Sequence, residues 1–547
     1  MHSDGKYGML KRKIDGGFFM KRLLNLTLVL ALVAVTAGCT KVQPAPSASG
    51  EDAENEKRVT LDWYINYSWY NSPWGGNAVS EAITERTGVE IRFVSPDGNE
   101  TVNLDALIAG DKLPDLVTLG WWEPQVNEMI EAGQVYALNE LADEYDAYFW
   151  EVADAERLKW YTQSDGNVYG YPNSSYSPSD YESGQLSSNQ TFLVRKDIYE
   201  AIGCPDMTTP EGFADAVRAA AQQFPTVDGK PLIPVGAHEF TERGCDSFDK
   251  FLQNFLAIPF EKDGEFYDRY TDPEYKRWLM MFRELSEEGL LSNEIFIDKR
   301  VQMEEKIAEG RYFCMLYQRT DMAEQQRILA EKNPNSIYIA VDGPKNAAGD
   351  MHTLPGSGLN GWTITLISKN CKDPESAIRF LSFLMSEEGQ KLIALGVEGE
   401  HYRMENGRAV LTEETQQLML NDYQEYVRRI GANDTYWMLQ DNRMQSEWMP
   451  QEDEILRQME EWTYPYVCYT GQYDVLFASG SETDIAQKRI DSIHGQMLPQ
   501  LLLAPTEEEF ERLWDEYVTL RKESGLDLVL EESTRQMQAA KEKLGLE

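Results

Sequence analysis

Cysteine is scarce in this 547-residue chain: there are six, and five of them, Cys204, Cys245, Cys314, Cys371 and Cys468, lie far apart. None forms a CxxC pair or has histidines at metal-ligand spacing, which excludes a disulfide framework and a zinc-ribbon type of site. Most are expected as small buried hydrophobes, and the spacing leaves open whether any pair is bridged. Positive charge is also short. Against 92 Asp and Glu stand 51 Lys and Arg, for a net charge of −41, which argues against nucleic acid and against electrostatic attraction to anionic lipid. Beyond residue 39 no apolar run approaches the ~20 residues that cross a bilayer. GxSxG and HExxH are missing, so no nucleophile or metallohydrolase motif is present. No cofactor and no metal are expected.

What is present begins with Met20–Cys39, MKRLLNLTLVLALVAVTAGC. Lys21 and Arg22 form a basic start, Leu23 to Val35 an apolar run, and Thr36, Ala37 and Gly38 lead to Cys39. The run is short and ends in small residues, which marks a signal peptide rather than a spanning helix. It resembles a bacterial lipoprotein signal in which Cys39 is diacylated, departing from that pattern at Thr36, where leucine is usual. Residues 1–19 are read as an upstream extension. Lipidation at Cys39 implies anchoring on the extracellular face of the cell membrane. The next residues, Thr40 to Arg58, are rich in Pro, Ala, Ser, Glu and Asp and are expected to form a disordered tether.

From Val59 strand-like and helix-like segments alternate. Val59–Ile65 reads as a strand, Asn77–Gly88 as a capped helix with a glycine stop, Val89–Val94 as a strand, and Leu116–Leu119 as a third after another helix. This β-α-β-α-β order predicts a mostly parallel sheet with helices on its faces. A second unit starts near Thr191. Pro210–Phe224 reads as a helix capped by Thr208, and Asp272-Pro273 and Asp373-Pro374 open further helices. Beyond Thr412 the pattern is mainly helical. The fold class is α/β, two lobes followed by a helical region.

Several local patterns occur in order: Leu113-Pro114-Asp115-Leu116-Val117, Asp165 to Pro172, Leu193 to Ile198, Thr209 to Phe213, Glu309 to Met315, Asp373 to Ala377 and Ser386 to Gln390. Together they resemble the family 1 extracellular solute-binding proteins of ABC-type carbohydrate importers. Gly396 to Tyr402 and the tail from Glu508 resemble the large lipoprotein subgroup that takes up plant-polysaccharide oligosaccharides in Gram-positive bacteria. The resemblance implies a bilobed periplasmic-binding-protein-like fold with a multi-crossover hinge, crossings being placed near Tyr169–Pro172, Gly310–Cys314 and Leu395–Tyr402. The expected division is 59–170 and 313–397 for the first lobe, and 171–312 and 398–547 for the second. Some relatives carry a calcium loop ahead of the strand matching Leu232–Gly236. Here Asp228 is the only carboxylate of Thr226 to Pro231, too few oxygens for calcium.

Ligands of open α/β sheets bind beyond the carboxyl ends of strands. Those loops supply Tyr64 or Trp63, Asn66, Trp69 and Trp74 after the first strand, then Trp121, Trp122 and Glu123 after Leu116–Leu119. Tyr171 and Tyr176 follow the first crossing, His238 and Glu239 follow Gly236, and Tyr317, Gln318 and Arg319 end the strand at Phe313. Trp362, beside Asn360, opens its own strand, and Tyr402 marks the third crossing. Rings match the C–H faces of sugars while amides, carboxylates, His and Arg match the hydroxyl rim. Arg319 is the arginine that a uronate ligand would use. Trp278, in mid-helix, is assigned to the core. The expected function is capture of an oligosaccharide and its delivery to an ABC permease by a monomer that is not an enzyme and binds no nucleic acid. The alternatives are a receptor for a peptide or other solute on the same scaffold, and an extracellular glycoside-active enzyme. The last would need two carboxyls facing one bond, and no strand-end pair stands out.

Overall fold

Two separate sheets carry the chain, and the order in which it visits them sets the position of everything functional. The structure, a computed structural model, describes residues 58–183, 186–451 and 454–546. Cys39, the signal segment and the tether lie outside the described residues. Among the described residues no helix is long and apolar enough to cross a membrane.

The first sheet has five strands. Val59–Ile65 pairs in parallel with Val89–Val94 on one side and Leu116–Gly120 on the other. Thr363–Ile367 then pairs antiparallel with Leu116–Gly120 and with Gly170–Pro172. The helix between the first two strands, Ala78–Thr87, starts where Asn77 accepts the Ser80 N–H. It stops at Gly88, whose positive φ of 70° lets its N–H reach the Thr84 carbonyl. Trp63 is fully buried and its Nε1 donates to Thr118 Oγ1 at 2.8 Å.

The second sheet has Gln190–Arg195 between Tyr338–Ala340 and Tyr312–Gln318, both antiparallel to it, with Ile233–Gly236 parallel to Tyr312–Gln318. Its core takes in Phe213, Phe282 and Trp278, the last with no exposed surface. Thr209, not Thr208, caps the helix Pro210–Gln223 by accepting from Gly212 N–H; Thr208 bonds to Asp206 instead. Asp272 and Asp373 cap their helices as expected. Three C-terminal helices, Glu482–Leu502, Glu507–Glu523 and Leu526–Leu544, complete this lobe. Cys204, Cys245, Cys314, Cys371 and Cys468 are free thiols, and Cys245, Cys314 and Cys371 are buried.

Two of the three expected crossings move. Strand Tyr312–Gln318 lies inside the second sheet, hydrogen-bonded on both edges, so the expected first-lobe segment 313–397 begins too early: its front part up to Ala340 belongs to the second lobe, and no crossing occurs at Gly310–Cys314. The chain returns between Ala340 and Thr363. Nor does it leave at Leu395–Tyr402. The hairpin Tyr402–Glu405 and Arg408–Leu411 packs on Leu395 and Trp448, and Tyr426, Ile430, Tyr436 and Trp437 join the first lobe's core. The third crossing follows Leu439, before helix Glu454–Thr463 joins the second lobe's core through Leu456 and Met459. The expected start of 398–547 in the second lobe therefore falls too early. Short segments without strong apolar period carry the crossings, and they bond to one another: Ser174 N–H to Gln440 O at 2.8 Å, and Tyr176 N–H to Gly358 O at 3.1 Å.

At Thr226–Val227 and Lys230–Pro231 a small hairpin closes through Asp228 and Gly229, both at positive φ.

Candidate functional site

Register places the loops of the first lobe on one edge. Gly120 pairs with Thr363 and Pro172 with Ile364, so the carboxyl ends of three strands and the amino end of Thr363–Ile367 converge. Here Tyr67, Trp69, Trp362 and Trp437 form an aromatic platform. Trp362 lies 4.4 Å from Trp437 between ring centroids and 5.7 Å from Tyr67. Trp69 runs parallel to Trp362, within 2°, and is 57% exposed. An indole this exposed, set over packed rings, presents a flat apolar face to the cleft side of the sheet edge.

Polar groups stand beside the platform. Asn66 is buried, its Nδ2 donates to Glu123 Oε2 at 2.6 Å, and Gly120 N–H donates to Glu123 Oε1 at 2.8 Å. Burial raises the Glu123 carboxyl above its usual range, and the two donors pull against that rise. Tyr64 is buried rather than lining the site. Its hydroxyl donates to Asn66 Oδ1 at 3.2 Å and so orients that amide, while burial pushes the phenol up to about 12. Trp121 is half-buried on the core and edge-on to Trp122, which is 43% exposed.

Across from Trp122 opens a cavity of about 1050 Å³. Trp122, Glu128 and Glu131 of the first lobe line it on one side; Arg243, Lys250, Gln253, Phe260, Arg269 and Tyr473 of the second lobe line the other. It is an inter-lobe cleft. A smaller hollow in the second lobe shares Arg243 and Lys250 with it and holds His238, Glu239, Tyr317 and Gln318. His238 stacks on Tyr317 at 4.5 Å, and its Nδ1 is 2.8 Å from Ser247 Oγ. Burial lowers the imidazole to about 4, so at neutral pH His238 is uncharged. Glu239 is tied to Lys299 and the Arg300 N–H on the rim. Gln318 donates to Asp321.

Arg319 is already occupied: it donates to Ser188 O at 3.0 Å and Ser187 Oγ at 2.7 Å, and lies 3.6 Å from Glu460. Arg195 holds Asp197 and the Gly310 carbonyl. Three other sequence-expected residues are not in the site. Trp74 packs on Phe93, Phe380 and Tyr436 with its Nε1 on Thr84, because its loop folds back over the helix Ala78–Thr87. Tyr171 is buried in the first core, its hydroxyl accepting the Asp154 N–H. Tyr402 is buried under the hairpin with Trp448. Tyr176 is half-buried among the crossings, where burial raises its phenol.

The sequence reading missed Trp437, Arg269 and Gln253. Trp437 lies in the helical stretch far downstream, and the other two leave no strand end. Asp474 accepts from Asn360 Nδ2 at 3.1 Å, and Asn360 Oδ1 in turn accepts from Trp160 Nε1 at 2.7 Å. Asp474 keeps a solvent-facing side, yet surrounding protein desolvates it and pushes its carboxyl up to about 6 from 3.8. A raised carboxyl contributes stability that is full below the unfolded value and lost as pH climbs through about 6. Asp474→Asn should therefore raise the unfolding free energy at pH 7 by about 1 kcal/mol, the shift being discounted for the open side. Melting curves of the two proteins should converge below about pH 4.

Comparison with known proteins accords with this architecture. Over 430 residues, 75% of this chain and 79% of the relative, the chain is 22% identical to the polygalacturonan/rhamnogalacturonan-binding protein YtcQ of Bacillus subtilis (strain 168). It is 22% identical over 416 residues to lipoprotein LipO of the same organism, covering 74% and 78% of the two chains. The solved structure of the S. pneumoniae ABC-transporter substrate binding protein FusA with kestose superposes with a TM-score of 0.68 at 15% identity, over 88% of this chain and all of that one. The alginate-binding protein AlgQ2 without calcium ion gives 0.64 at 18% identity, over 88% and 98%. These likenesses show the bilobed fold. Residues 73–391, more than half of the chain, match the family described as bacterial extracellular solute-binding protein, and the chain belongs to that family.

Proposed function

We propose that this protein captures an oligosaccharide between its lobes and delivers it to an ABC permease. The observation that carries the reading is the platform on which the exposed Trp69 lies parallel to Trp362, with the Asn66–Glu123 pair beside it. A pyranose ring offers the flat C–H face that such indoles cover, and its hydroxyls pair with the flanking amide and carboxylate. The saccharide-binding names of one curated relative and of the structural neighbours support the same ligand class. Peptide-linked crossings that bond to one another allow the lobes to close around the ligand as hinge motion. Lipid on Cys39 holds the receptor, a monomer, at the extracellular face of the membrane. The role is binding without chemistry.

A thermal-shift screen tests it, with pectin, xylan, mannan and glucan oligosaccharides, neutral and uronate-containing, and a peptide pool beside them. A ligand at about 100 times its dissociation constant adds ~2.7 kcal/mol of stability. A shift with one sugar class is the expected result. A shift with peptides and none with any sugar overturns the oligosaccharide assignment.

A further inference from the structure

Six arginines are buried among the described residues: Arg157, Arg195, Arg269, Arg283, Arg311 and Arg521. Five are held within 4 Å of a carboxylate, Arg157 by Asp441, Arg195 by Asp197, Arg283 by Glu287, Arg311 by Glu294 and Arg521 by Asp268. Arg269 is the exception. It is 8% exposed and donates from Nη2 to Asn254 Oδ1 at 2.7 Å, and its Nε faces no acceptor. Its guanidinium lies 4.0 Å over the Phe260 ring, which itself stacks on Tyr473 at 4.7 Å. A buried cation with one neutral acceptor for five N–H groups is costly, and burial has pulled this guanidinium down to about 10.

Arg269 lines the inter-lobe cleft, and so does a second unspent donor. Gln253 is 2% exposed and its Nε2 has no acceptor. Arg243 and Lys250 stand on the same wall. The buried donors here thus outnumber the acceptors the protein gives them. The Phe260 ring covers one flat face of Arg269 and Asn254 takes one Nη2 hydrogen, so the N–H groups still without an acceptor lie in the guanidinium plane, the direction in which a carboxylate accepts.

We infer that Arg269 and Gln253 form an anion subsite of the cleft that takes the carboxylate of an acidic sugar residue in the ligand. This deepens the proposed function and rests on its reading of the cleft as an oligosaccharide site. It moves the role of acid recognition from Arg319, which donates to Ser188 and Ser187 and already lies beside the Glu460 carboxylate, to Arg269.

Titration calorimetry on the purified full chain tests the inference with trigalacturonate and its fully methyl-esterified form. The ester keeps the sugar and removes the charge. Wild-type protein should bind the acid about 10- to 100-fold more tightly than the ester, the range of a charge-assisted hydrogen bond. Arg269→Gln should abolish that preference, Gln253→Leu should reduce it, and Arg269→Lys should keep part of it. Should Arg269→Gln fail to fold, Gln253→Leu and Arg269→Lys still decide the matter by the ratio of the two affinities. Equal binding of acid and ester by wild-type protein overturns the anion subsite and leaves the oligosaccharide reading standing. So does a preference that survives in Arg269→Gln. Absence of binding to either probe, together with no response to any sugar of the thermal-shift panel, removes both.

Discussion

Alanine at both Trp69 and Trp362 is expected to weaken oligosaccharide binding by roughly 10³-fold, at about 2 kcal/mol for each buried aromatic anchor. The two rings are parallel, and one of them is more than half exposed. Binding would cover that surface, so the gain appears only in the complex. Folding should suffer little from Trp69→Ala, because the side chain contributes an outer face rather than core. Trp362→Ala costs more, since it also removes the contact with Trp437 at 4.4 Å. The pair lies ring to ring, so a double-mutant cycle measures how much each loss depends on the other. Trp74→Phe is the matched control: it deletes the bond to Thr84 and disturbs packing against Phe93, Phe380 and Tyr436. It should lower the melting temperature and leave affinity unchanged. Equal affinity of the double variant and the wild type would remove the platform from the site.

The sequence contained more of this than its low similarity to characterised proteins suggests. Caps such as Asn77 and Asp373, the stop at Gly88 and the alternating strands are local signals, and the elements they predict are there. The loops after Ile65 and Gly120 were identifiable because strand ends in an open sheet converge by register, and Asn66, Trp69, Trp122 and Glu123 came with them. Failures arose where tertiary structure reassigns a residue with an unchanged local pattern. Trp74 belongs to the same aromatic loop as Trp69, and only the fold-back over Ala78–Thr87 sends it to the core. Strand Tyr312–Gln318 looks the same in either sheet; its pairing with Gln190–Arg195 decides. Trp437, Arg269 and Gln253 reach the site from helical or irregular segments, where no period of two or 3.6 marks a residue as cleft-facing. The missing partner of Arg269 is a relation between distant residues, invisible to any reading of neighbours.

Arg157→Met should cost the protein about 3–5 kcal/mol, the penalty of leaving one half of a buried ion pair behind. Arg157 is 3% exposed, and its helix, Ala155–Tyr161, belongs to the first lobe. One guanidinium nitrogen donates to Asp441 Oδ2 at 2.7 Å and another to Ser175 O at 2.8 Å. Ser175 lies on the first crossing and Asp441 at the start of the third, so a single side chain fastens two hinge segments to one lobe. Its loss strands the Asp441 carboxylate, apart from the Met444 N–H that it caps, and frees the Ser175 carbonyl. Urea titrations should show a lower midpoint with an unchanged slope, the sign of lost stability without altered exposure on unfolding. Arg157→Met with Asp441→Asn should recover part of the loss, because the second change removes the stranded charge and keeps an acceptor for Met444. Amide exchange should rise first at 173–177 and 440–445, where the fastening is released, before the sheets respond. A loss under about 1 kcal/mol would mean that the crossings are held by their own backbone bonds, Ser174 to Gln440 and Tyr176 to Gly358, and that Arg157 is a passenger on them.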